Sequence, residues 1–206
     1  MTVKTPRVSA IINDEHGVLI FSAGSGLLDK RPELAQQIGR FAAAWAQTEA
    51  ELGGYLAALL RTDPARTFAL LNRYGSAKAY ADAAKDLITA SIEEPARTNA
   101  LTIVTKFRAL AQQRNAVQHC LWAEKPSHPD SLFRLTASEW SMLAIRLAHA
   151  ARETSNKAIE LAEELAASVT DEYTVDRLEI LIEQAHELSG DLFELKSEEL
   201  KLVTDV

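Results

Sequence analysis

Only one cysteine, Cys120, occurs in the 206 residues. That excludes an internal disulfide and any metal site built from several cysteines, and it suits a reducing compartment. Glycine and proline are scarce, at 8 and 6 residues, so little in the chain interrupts a helix. No apolar run approaches the roughly 18 residues that a membrane-spanning helix needs. Met1 to Arg7 is polar and lacks the apolar stretch of a secretory leader. His16, His128, His149 and His186 have no ligand spacing. These absences predict a soluble, cytoplasmic protein with no metal, no cofactor and no membrane partner.

A second absence is local. From Pro95 to Ala123 there is no Asp or Glu, yet Arg97, Lys106, Arg108 and Arg114 all fall there. The chain as a whole carries a net charge of −7. Residues 160–206 hold 14 acids and 3 bases, whereas residues 1–159 hold 15 acids and 19 bases. A mildly basic body therefore precedes a strongly acidic tail.

The acid-free segment has helical periodicity. On a wheel of about 100° per residue with Arg97 at zero, Ile103, Val104, Phe107, Leu110, Ala111, Val117 and Leu121 fall between roughly 200° and 340°. Arg97, Arg108, Asn115 and His119 fall between roughly 0° and 40°. One face is a core stripe and the other a cationic, hydrogen-bonding ridge. Arg114 breaks the pattern at about 260°, inside the apolar stripe. A buried guanidinium without a partner is costly, so Arg114 must be paired, or sit at a helix end or in a crevice.

The patterning predicts an all-α fold: an antiparallel up-and-down bundle of 4–5 helices with a short N-terminal β-hairpin. Residues 1–30 read as hairpin and linker, 31–168 as the bundle, and 169–206 as a C-terminal helix and acidic tail. The hairpin pairs Arg7–Ile12 with Val18–Phe21 around a turn with Gly17 left-handed, and it should lean on the helices. Ser22 to Leu28 reads as linker. The first helix, about Glu33 to Leu60, has a seam of Ile38, Phe41, Trp45, Thr48, Leu52, Tyr55 and Leu59. Gly53-Gly54 in its middle implies close approach of another backbone. Asp63-Pro64 starts the second helix, which breaks at Tyr74-Gly75 and restarts at Ser76. The third begins at Glu94-Pro95. Thr136 to Glu139 is a capping box opening a fourth helix that runs to about Ala167. A fifth, about Asp171 to Leu188, stops at Gly190. Asp191 to Val206 is either a docked short helix or a mobile tail.

Arg114-Asn115-Ala116-Val117-Gln118-His119 resembles the R-[polar]-x-x-x-H signature of the HEPN superfamily. In that family the signature lies late on the third helix, after an apolar run and before a small residue and an aromatic. Here these are Leu110, Cys120 and Trp122. Cys120 departs mildly from the usual glycine or alanine. Trp45, Glu49 and Glu51 in the first helix and the break at Tyr74-Gly75-Ser76 are also similar. The resemblance spans roughly Glu33 to Ala167. It implies a homodimeric, metal-independent endoribonuclease of toxin or phage-defence type, acting on single-stranded RNA, with an antitoxin or regulatory partner. His119 would move protons between the ribose 2′-hydroxyl and the leaving 5′-oxygen. Arg114 would hold the phosphorane oxygens, Asn115 would orient the imidazole or donate to the phosphate, and Arg108 and Arg97 would track flanking phosphates. Arg114 and His119 cannot aim at one spot from a single helix. A two-fold axis along the helix would bring the second copy's pair alongside. The alternatives are a non-catalytic nucleotide- or RNA-binding module and a dimeric adaptor. The acidic tail could also cover the cationic ridge as a phosphate mimic.

Overall fold

The computed structural model describes residues 9–24 and 26–204. Among them are seven α-helices and five strands. The chain is mainly helical, but a count of 4–5 helices and a purely α class are both corrected. It divides into two compact units, one of Met1–Ile38 and Ala116–Leu178, the other of Gly39–Asn115 and Glu179–Val206.

The first unit is built on an antiparallel sheet in the order β1 (Ser9–Asn13), β2 (Leu19–Gly24), β3 (Leu121–Glu124), β4 (Leu132–Leu135), β5 (Glu172–Tyr173). Asp14 shapes the β1–β2 turn, its carboxylate accepting from the backbone N–H of His16 at 2.9 Å and of Val18 at 2.8 Å. Gly17 has φ +80°, as the turn demands. Arg7 and Val8 lie outside the described residues. The hairpin does not rely on helices alone. β2 also pairs with β3, Ala23 opposite Ala123, so Ser22 to Gly24 is strand and not linker. Helices α5 (Ala137–Glu153) and α6 (Ser155–Ser168) supply the packing partners. Phe21, Ala23, Ala123, Phe133, Leu135 and Leu143 form the buried cluster, with Trp140, Leu147, Leu165 and Val169 against it.

The capping box at Thr136 forms as expected, with Thr136 N–H donating to Glu139 Oε2 at 2.6 Å and Glu139 N–H donating to Thr136 Oγ1 at 3.2 Å. The helix it opens does not reach Ala167 unbroken. Thr154 turns extended (φ −156°, ψ 152°) and caps α6 through the Lys157 N–H at 3.2 Å. The Thr154 hydroxyl serves as an N-cap, and a second helix begins there.

The second unit is a helical assembly. It contains most of α1 (Pro32–Leu59), then α2 (Pro64–Leu71), α3 (Ala77–Ser91), most of α4 (Ala96–Gln118) and most of α7 (Val175–Thr204). Phe41, Trp45, Thr48, Leu52 and Tyr55 of the α1 seam are all buried. Trp45 meets Phe107 of α4 with ring centroids 4.7 Å apart, and Thr48 Oγ1 donates to the Ala185 carbonyl of α7 at 3.0 Å. Burying a side chain such as Phe107 stabilises by about 1.5–3 kcal/mol. Gly53 is needed for a side chain, not a backbone: a Cβ there would stand 2.3 Å from the Phe68 ring of α2.

Gly190 does not stop the last helix. α7 runs through it to Thr204, because Leu181, Ala185, Leu188, Leu192 and Leu195 are all buried at helical spacing. The acidic residues after Gly190 therefore ride on a core helix, and a mobile tail is ruled out over the described residues.

Candidate functional site

α4 carries the acid-free segment. Ala100, Ile103, Val104, Phe107, Leu110, Ala111 and Val117 are buried along one face, as the wheel predicts. Leu121 belongs to β3 instead. The cations on the other faces find partners elsewhere in the chain. Arg97 Nε donates to the Ile92 carbonyl at 2.7 Å, closing the end of α3. Arg108 Nη1 lies 3.1 Å from Asp82 Oδ1 on α3. Lys106 Nζ lies 3.0 Å from Asp191 Oδ2 on α7. The acids missing from the segment are thus supplied by neighbouring helices. Asp82 and Asp191 were not singled out in the sequence, and nothing local marks them, since their partners are 26 and 85 residues away.

Arg114 lies just before the last turn of α4 and is half-buried. Its Nη1 donates to the side-chain oxygen of Asn115 at 3.0 Å. Its Nε is buried without a hydrogen-bond partner. Unlike Arg108 and Lys106, it has no ion pair with a carboxylate among the described residues. Asn115 is exposed.

α4 ends at Gln118, so His119 is the first residue past the helix rather than part of it. The chain turns here to enter β3 at Leu121. His119 is exposed, and no described residue hydrogen-bonds its ring. The fold joins Arg114 to Asn115 directly, while Arg97 and Arg108 each answer to a separate partner. Cys120 next door donates from Sγ to the Val117 carbonyl at 3.3 Å. Burial pushes its thiol up to about 11, against a smaller opposing pull from the Arg134 guanidinium. Trp122 is buried in the sheet, edge-on to Tyr173 at 5.5 Å.

Among the described residues, no helix is long and apolar enough to cross a membrane. A scan against protein-family models found no match, and searches of curated proteins and of solved structures found no significant match.

Proposed function

We propose that this chain is a metal-independent endoribonuclease of the HEPN type, acting as a homodimer on single-stranded RNA in a toxin or defence setting. The observation that carries the reading is Arg114. It is a half-buried guanidinium with one nitrogen unpartnered and no carboxylate ion pair, five residues before an exposed histidine. A guanidinium held against apolar neighbours is stabilised by an anionic partner, and an incoming phosphate oxygen would fill that role at the Nη groups, Nε being enclosed. His119, open to solvent, would take the proton from the 2′-hydroxyl, and a second copy's His119 would protonate the 5′-oxygen. Asn115, already bonded to Arg114, would move with it onto the phosphate. Arg97 and Arg108 each spend one donor within the chain, leaving further N–H groups of the five on a guanidinium for flanking phosphates. Sedimentation analysis beside a cleavage assay tests the composite site: the active species is a dimer, and a cutting monomer would overturn it.

A non-catalytic RNA-binding or adaptor reading is favoured by the internal pairing of Arg97 and Arg108. Salt-sensitive RNA binding without turnover selects it.

A further inference from the structure

A groove runs between α4 and α7 within the second unit. Its wider part, a cavity of about 430 Å³, is floored by Ala109, Leu110 and Leu188 and edged by Gln113 and Glu187. The adjoining part, about 220 Å³, lies over Ile103 and Leu195 and is edged by Glu194 and Glu198. Lys106 and Asp191 line both, so the two parts meet at that ion pair.

The two walls differ in charge. On α7, Glu187, Asp191, Glu194 and Glu198 follow at steps of four, three and four, which is one helical stripe. Asp191 has Lys106. Glu187, Glu194 and Glu198 have no ion pair among the described residues. On α4 the facing wall offers Asn99, Thr102 and Gln113, which are uncharged. Glu187 with Asp191, and Glu194 with Glu198, are like charges four apart, an arrangement that weakens a helix. The fold thus keeps an acidic stripe beside an apolar floor, with Lys106 paired to Asp191.

We infer that this groove binds a basic amphipathic helix of a partner protein. An apolar side chain seats on Leu110 and Leu188, and a Lys or Arg about two turns further along reaches Glu194 and Glu198. The centres of the two parts are seven residues apart on α7, about 10 Å, which two turns of a partner helix match. Helix-in-groove recognition uses this combination of apolar anchor and charged rim. A nucleic acid is disfavoured here because its phosphates would face the carboxylates. The inference does not depend on the ribonuclease reading.

The test uses the full chain and a fluorescent 18-residue Ala/Lys-based helical peptide with one Leu seven residues before an Arg. Expected is saturable binding at low salt, weakened at least tenfold by Glu194→Lys with Glu198→Lys and at least fivefold by Leu→Ser in the peptide. Both glutamates are exposed, and unchanged circular dichroism verifies that the variant is folded. Absence of binding, equal binding by the variant, or equal binding of the Leu→Ser peptide overturns the inference. So does self-association of the chain that Glu194→Lys with Glu198→Lys abolishes, since the groove would then belong to a second copy.

Discussion

The Arg114 guanidinium donates to the side-chain oxygen of Asn115, its immediate neighbour on α4, at 3.0 Å. Adjacent residues on a helix point about 100° apart, so the long arginine folds back to reach an amide. That amide is a neutral partner, weaker than the carboxylate that answers Arg108. Arg114→Lys keeps the charge and removes the planar fork. Expected is a loss of RNA cleavage of at least about 10²-fold, with thermal stability changed by no more than about 1 kcal/mol. Unchanged cleavage would show that the fork has no part in the reaction.

Asp171 is an acid-sensitive point of the first unit. Burial pushes its carboxyl up, but hydrogen bonds and charge from Arg134, at 2.5 Å, and Arg177, at 2.9 Å, outweigh burial and hold it below the usual range. With the folded value depressed, the stabilisation is fully present above the unfolded carboxylate value of about 4 and is lost as pH falls through the folded one. Asp171→Asn is expected to cost about 1–2 kcal/mol at pH 7. The deficit should shrink below about pH 4. Urea melts at pH 7 and pH 3 check it; an equal deficit at both contradicts it.

Two helical glycines should respond in opposite directions. At Gly53 a new Cβ would meet the Phe68 ring at 2.3 Å and the Tyr80 hydroxyl at 2.8 Å. Overpacking of about 1–3 kcal/mol should exceed the helix gain of about 1 kcal/mol. At Gly190 nothing lies within 4 Å, so Gly190→Ala should stabilise by about 0.5–1 kcal/mol. Thermal melts of both variants decide it, and Phe68→Leu should recover part of the Gly53→Ala loss.

Cys120 should be a slow thiol. With its pKa pushed up to about 11 by burial, its alkylation by iodoacetamide at pH 8 should run on the order of 10²-fold slower than in the urea-unfolded chain. Equal rates would mean that the thiol is exposed in solution.

Long periodic segments were legible before any coordinates. The α1 seam and the buried face of α4 follow from spacing alone, and the caps at Asp63, Ser76 and Thr136 follow from residue type. Strands β3 and β4 were not, because four residues are too few to establish a period. β5, at two residues, exists only through its partner β4. Gly190 carries a stop signal that burial of Leu192 and Leu195 overrides. At the site, the wheel put Arg114 on the apolar side of α4, where its side chain is half-buried with Nε enclosed. It misplaced His119 by continuing a helix that ends one residue earlier. The partners of Arg108 and Lys106 needed the tertiary fold.

The most direct measurement is cleavage of a single-stranded RNA by the purified protein in EDTA, with the ends of the products identified. The expected result is cutting that leaves 2′,3′-cyclic phosphate and 5′-hydroxyl ends, slowed at least about 10²-fold by His119→Ala, whose exposed side chain makes unfolding an unsuitable explanation. No cutting without metal, or His119→Ala cutting at the wild-type rate, would contradict the account.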